Sequence, residues 1–269
     1  MFVKQIAILA LASFALGLGL GSIQAAEPVP AKVVLVNTQP DHPFGTHMYE
    51  HECKLLAHCL KQTRGVETTI ARDWPDKSQL DHVRSIVFYS RPAGDIVFSS
   101  EHRDQFNRLM KEGVGFAAIH WATGAEKERG EEYSNLLGGW FNFAHAGLKV
   151  DAQLLEQQAP KHPICNGWKP YQLHDEFYLN MKFHDGVTPV LKVKVDGKDQ
   201  VVAWAHERPD AHDGRSFGTT LGHFHENFGL PDFRRALVNG ILWSAHVEVP
   251  ENGAPVEVSD KELKLAAQK

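Results

Sequence analysis

Residues 31–37 (AKVVLVN) form an unbroken, mostly β-branched run. A strand of that composition is stable only when both of its faces are covered. An alternating strand could leave one face to water; this one cannot, so helices must pack on both sides of its sheet. The downstream pattern supplies them. A helix is predicted over 46–62, with Thr46 as N-cap, Glu50 and Glu52 at its positive end, and Tyr49, Cys53, Leu56 and Leu60 on one apolar stripe. Strands are predicted at 66–71 and 85–90. A second helix, capped by Ser99 or Ser100, carries Phe106, Leu109 and Met110 and stops at Gly113. Residues 115–121 (GFAAIHW) make a fourth strand that closes in histidine. This alternation predicts a single α/β domain built on a doubly wound, mostly parallel sheet. Further strands follow at 148–155, 189–195, 200–206 and 216–223. A helix opened by Pro231, with Phe233, Leu237, Ile241 and Trp243, closes the domain. Residues 250–269 are polar and are expected to extend over the surface.

The first residues carry a different message. A short basic start, an uncharged run of Ala, Leu, Ile, Phe and Gly, and a small-residue region before Ala25 and Ala26 have the pattern of a secretory leader over 1–25. The run is too short and too rich in glycine for a membrane span. The expected product is an exported, periplasmic or extracellular protein, with no membrane contact after cleavage. About 240 residues remain, ample for one core. The net charge of -5 and the lack of a long basic run argue against nucleic acid as a partner. Three cysteines (Cys53, Cys59 and Cys165) do not make a disulfide framework and are expected to pack as small apolar groups.

The unusual residue is histidine, present 16 times. In a doubly wound sheet the ligand crevice lies beyond the carboxyl ends of the strands. His42 and His47 fall on the loop after the first strand, and His120 closes the fourth. His223 and His225 close the last one, where two-residue spacing in extended chain puts both on one side. His174, Asp175 and Glu176 form a fourth polar group. Imidazole and carboxylate ligands from separate loops suit a divalent ion such as zinc, iron, nickel or manganese. Each residue also has a plain structural reading: a solvated loop histidine, a helix start, a core histidine bonded to backbone, a turn. Their shared edge is the argument for a site. No GxGxxG, Walker loop, HExxH or serine elbow is present, so no nucleotide cofactor is expected.

With these residues in place, the chain resembles the ThuA-like (trehalose utilisation) family. The resemblance covers residues 32–249, through DHPFGTH (41–47), GVGFAAIHWATG (113–124), LLGGWF (136–141), HPICNGW (162–168), HDEFYLN (174–180), VAWAHE (202–207), GRSFGTTLGHFH (214–225) and DFRRALVNGILWSA (232–245). It implies a flavodoxin-like fold similar to class I glutamine amidotransferases, with His120 standing where their nucleophilic cysteine would be. It also implies a role in catabolism of trehalose and related glycosides, including cleavage of 3-keto-sugars. On this reading His42, His47, His223 and His225 hold a metal, and His120, Asp175 and Glu176 carry catalysis. One departure stands out. Many members have a histidine three residues after the GGxF phenylalanine, whereas here Asn142, Phe143 and Ala144 precede His145.

The expected function is metal-assisted chemistry on a small sugar or keto-glycoside, by proton abstraction and elimination or by hydrolysis, with His120 or Glu176 as general base. The alternative is a carbohydrate-binding protein without turnover, in which Trp121, Trp140, Phe141, Tyr178 and Trp204 stack on sugar faces. An amidotransferase is disfavoured by the absence of an elbow cysteine. A homo-oligomer is left open.

Overall fold

The computed structural model describes residues 29–266; the leader expected over 1–25 lies outside the described residues. The first half alternates strand and helix: β1 (Ala31–Asn37), α1 (Tyr49–Leu60), β2 (Val66–Arg72), α2 (Lys77–Leu80) and β3 (Val83–Tyr89). It continues with α3 (Ala93–Val97), α4 (Arg103–Lys111), β4 (Gly115–Ile119) and α5 (Gly130–Leu137). Strands then dominate: β5 (Gly139–Trp140), β6 (Gly147–Gln157), β7 (Tyr171–Leu179), β8 (Lys182–Phe183), β9 (Val187–Val195), β10 (Lys198–Arg208) and β11 (Gly214–Thr219). Helices α6 (Pro231–Ser244) and α7 (Asp260–Leu263) close the chain.

The main sheet has nine strands in the order β2-β1-β3-β4-β11-β10-β9-β6-β7. Alternate residues of β1 enter two different cores, Val33 and Leu35 on one face, Val34 and Val36 on the other, and all four are fully buried. That is why residues 33–36 include no polar member. Helices α1 and α6 cover the first face; α3, α4 and α5 cover the second. The four pairings from β2 to β11 are parallel, so the strand ends that follow β1, β3, β4 and β11 share one edge. Because β1 pairs with β2 on one side and β3 on the other, the connections diverge there and open a crevice at that edge.

Beyond β11 every pairing is antiparallel. The sheet is therefore mixed, with a parallel half and an antiparallel extension. The reason is partly local: Asp196 and Gly197 both have positive φ (49° and 77°) in the turn between β9 and β10, and Asp-Gly with two left-handed residues makes a tight hairpin. Strand β6 joins β9 only through Glu156 and Gln157, so most of the β6–β7 ribbon projects from the sheet.

Several predicted boundaries move. Thr46 does not cap α1. Its hydroxyl bonds Pro43 O at 2.6 Å within the preceding loop, and the helix starts after Met48 without a side-chain cap. Neither Ser99 nor Ser100 caps α4, which begins after His102. Strands β4 and β11 end at Ile119 and Thr219, short of their histidines. The three cysteines are free and buried. The C-terminal segment is not a loose polar surface tail, because Ala254 and Val256 are buried. Arg234 on α6 donates to Val256 O, and Asn239 accepts from Ala254 N at 2.9 Å. Buried polar groups on α6 need partners, and this strap supplies them.

Helix α6 crosses β11 where Gly240 faces Phe217; a Cβ there would sit 2.4 Å from the ring. Alanine favours a helix over glycine by about 1 kcal/mol. Gly240→Ala should nevertheless lower stability by roughly 1–3 kcal/mol through overpacking, measured as the urea midpoint; a stabilised variant would contradict this packing.

Candidate metal centre

Three loops bring the site together. The loop after β1 ends in His47, held at φ 47°. It is zipped to the loop after β11: His47 N donates to His223 O at 3.1 Å, and His225 N donates to Gly45 O at 2.8 Å. Immediately after β4 the chain turns sharply at His120, whose φ is 57°, with Thr123 Oγ1 donating to His120 O. Non-glycine residues in this region cost of order 1 kcal/mol or more and persist only where the surroundings enforce them. Here both turns aim imidazoles at the same point.

Their nitrogens form a nearly equilateral triangle. His47 Nε2 lies 2.9 Å from His120 Nε2 and 3.1 Å from His223 Nδ1, and the latter two are 3.2 Å apart. Second contacts assign the protons. His120 Nδ1 donates to Thr220 O at 2.6 Å, and His47 Nδ1 faces Asp41 Oδ1 at 3.1 Å. Each neutral ring then turns a bare Nε2 lone pair inward. Two lone pairs at hydrogen-bond distance repel unless a proton or a cation lies between them. Adjacent ligands on bonds of ~2.0–2.1 Å stand about 3 Å apart, so the triangle fits three ligands on one face of an ion. An imidazole whose outer N–H is held by carboxylate or carbonyl is the usual arrangement around such ions.

The electrostatics agree. Burial pushes the pKa of His47 down despite the Asp41 contact, takes His120 well below the normal range, and lowers His223 to about 4 with help from the neighbouring His47 and His42. All three are neutral near pH 7, the form that binds metal.

The ribbon contributes the remaining groups. Glu176 and Tyr178 alternate on the face of β7 that meets the cluster. Glu176 Oε2 is 3.6 Å from His120 Nε2 and 3.5 Å from His223 Nδ1; Tyr178 Oη is 3.4 Å from His120 Nε2. Burial raises the pKa of the Glu176 carboxyl and that of the Tyr178 phenol. Asp175 points the other way. It is fully buried, its carboxylate accepting from Gly222 N (2.8 Å), His223 N (3.0 Å) and Glu176 N (2.9 Å). Burial raises its pKa to about 7 against the pull of these donors. It holds the His223 loop and has no free face for chemistry, which corrects its expected catalytic place.

Other expectations also shift. His120 belongs to the nitrogen triangle, which leaves it no role as a free base. His42 sits at the rim, packed at a tilt against His47 with ring centroids 3.6 Å apart and bonded to Asp41 at 2.8 Å. His225 is not in the cluster: its Nδ1 pairs with Glu52 at 2.5 Å and its Nε2 with Leu263 O at 2.7 Å. The extended spacing that should have aligned it with His223 ends at Phe224, where a 3-10 turn begins. His174 stacks on Phe224 instead of joining the cluster. His145 packs at a tilt against Trp140 and lines a cleft of about 590 Å³ that contains none of the triangle residues. Trp140 and Trp204 are buried away from the cluster, the latter bonded to Leu137 O.

Two residues went unassigned in the sequence. Asp41 gathers His42, His47 and the Tyr49 hydroxyl at 2.8–3.1 Å, and Tyr49 Oη also lies 2.8 Å from His47 Nδ1. An aspartate in the same short motif as two histidines was the available signal. Tyr49 counted only as part of an apolar stripe.

A match to the family model described as trehalose utilisation (ThuA) spans residues 32–244. The chain belongs to the ThuA family. Among solved structures, a ThuA-like protein from Parabacteroides merdae aligns with TM-score 0.62 at 15% identity, over 88% of this chain and 100% of its own. A ThuA-like protein from Bacteroides uniformis gives 0.60 at 18%, over 83% and 95%. A cytoplasmic protein from Salmonella typhimurium gives 0.55 at 14%, over 78% and 98%. At these identities the likeness is one of fold. No curated protein shows significant similarity to the chain.

Burial pushes the Asp41 carboxyl up, but hydrogen bonds from His47, His42 and Tyr49 outweigh it and hold the pKa at about 2. A depressed carboxylate stabilises the fold above its unfolded pKa and loses that contribution as pH falls through the folded value. Metal-free Asp41→Asn should therefore be less stable than the parent by roughly 1–2 kcal/mol at pH 6, after allowance for partial exposure. The difference should shrink as pH falls from ~4 towards 2. Urea titrations across that range would show it; a gap that does not depend on pH would contradict it.

Proposed function

We propose that this protein is a metal-dependent enzyme of carbohydrate breakdown, acting on a keto-glycoside or related sugar. The observation that carries the reading is the triangle of inward-facing imidazole nitrogens with the Glu176 carboxylate beside it. Membership of a family described as trehalose utilisation ties the chain to carbohydrates. His47, His120 and His223 are the residues that would hold the ion, a set that suits zinc, iron, nickel or manganese. Bound there, a divalent ion supplies a Lewis acid for a keto or hydroxyl oxygen of the sugar.

The chain's own groups do the rest. Glu176, freed from other partners and with its pKa raised by burial, is the general base for the carbon next to the ketone. It takes the proton; the C–H pair becomes a C=C bond, the glycosidic C–O bond breaks, and the departing oxygen leaves as an alcohol once protonated. The Tyr178 phenol stays protonated and can donate a hydrogen bond to a substrate oxygen. Addition of water across the new double bond would give net hydrolysis. Asp41 and Thr220 O keep the His47 and His120 rings in the ligating tautomer. Export is part of the proposal and rests on the sequence of residues 1–25.

Metal analysis of the purified protein, followed by assays on 3-keto-trehalose and 3-keto-glucosides with and without chelator, tests the reading. About one ion per chain is expected, lost in His47→Ala, His120→Ala and His223→Ala. Glu176→Gln should keep the ion and lose roughly 10²–10⁴-fold in kcat. Protein that binds no metal and is inert towards every oxidised sugar would overturn it.

A further inference from the structure

A row of aromatic rings adjoins the cluster. From Tyr178, against His120, an aromatic wall runs through Phe141 (4.3 Å between ring centroids) to Trp121 and Phe143 (5.7 and 4.9 Å from Phe141). Trp121 also lies 6.2 Å from His42 and 6.4 Å from His47, so the wall borders the triangle. Its outer end is open: Phe143 is 63% exposed. The same rim continues on the ribbon. Leu148 pairs with Tyr178 and Val150 with Glu176, so both share the cluster-facing surface, and both are exposed. Single exposed apolar side chains are ordinary, but several around one reactive centre mark a binding surface.

Asn142, the only amide between Phe141 and Phe143, is consumed internally: its Nδ2 donates to Ala125 O at 2.9 Å and its Oδ1 accepts from Ala144 N at 2.9 Å. A sugar subsite needs convergent donors and acceptors, and an apolar one rewards a ligand that has none to leave unpaired.

We propose that the surface formed by Trp121 and Phe143, backed by the buried Phe141, is a leaving-group subsite, and that the substrate is a glycoside whose departing group is an aromatic or flat hydrocarbon alcohol, not a second sugar. This rests on the keto-glycoside reading above. The carbohydrate ring occupies the space over the triangle and Glu176. The group beyond the glycosidic oxygen stacks on Trp121 and Phe143 and leaves through the mouth they form, past Leu148 and Val150.

Benzyl and methyl 3-keto-β-glucosides have leaving alcohols of similar acidity, so they separate contact from leaving ability. The benzyl compound should be preferred roughly tenfold in kcat/KM, with the difference in KM. Phe143→Ala and Trp121→Ala should each bring the ratio close to one while still taking up metal at the parent stoichiometry. Calorimetry with unoxidised benzyl and methyl β-glucosides forms a second arm that needs no turnover. If no keto-glycoside reacts but benzyl β-glucoside binds more tightly than methyl and loses that advantage in Phe143→Ala, the reaction is wrong and the subsite stands. Equal benzyl and methyl values in both arms, a benzyl preference that survives both substitutions, or tighter handling of 3-keto-trehalose than of the benzyl compound would overturn the subsite.

Discussion

One buried carboxylate joins the two halves of this molecule. Asp175 lies on the antiparallel ribbon, and its oxygens receive backbone N–H groups of Gly222 and His223 from the loop that leaves the parallel half. A fully buried carboxylate is tolerable only with such donors, because charge–dipole hydrogen bonds must replace the water it loses. The contact fixes the backbone of His223. By the alternation of β7, it also fixes which face of the ribbon Glu176 and Tyr178 present. Breaking it would detach Glu176 from the nitrogens it faces.

The cluster itself is a balance of costs. Three imidazoles are crowded to within 3.2 Å of one another, two of them on residues with positive φ, in surroundings that keep them neutral. Two bare nitrogens at that spacing repel, and a proton or a cation between them removes the repulsion. Asp41, Tyr49 and Thr220 O supply the outer hydrogen bonds, and the zip between the loops after β1 and β11 holds two of the rings in register. Glu52 and His225 continue this support outward, with Leu263 O from the C-terminal strap completing the histidine's partners. An outer layer of hydrogen bonds thus surrounds the three inward-facing rings.

Much of the frame was legible along the chain. Strand β1 matched its predicted bounds because a continuous β-branched run has no other stable home. The helix of Tyr49, Cys53, Leu56 and Leu60 buried the stripe its spacing implied. The antiparallel extension was less legible, since alternating and half-buried strands do not reveal their partners, although Asp196-Gly197 was a hairpin signal. His225 shows the limit of periodicity. Two residues from His223, it faces another helix because one short turn intervenes. Asp175 and Glu176, adjacent in sequence and equally acidic, differ in role only because a strand sends neighbours to opposite faces.

The sequence alone determined that a buried parallel sheet would form and that its first, fourth and last connections would carry histidines. Those properties are local: they follow from side-chain shape, period and residue type. Only the tertiary structure decided which histidines share a centre, which ring nitrogen each one offers, and which carboxylate is free. Those depend on distances between segments more than a hundred residues apart, such as His120 and His223, and on hydrogen bonds to backbone atoms that every residue possesses and no sequence motif distinguishes.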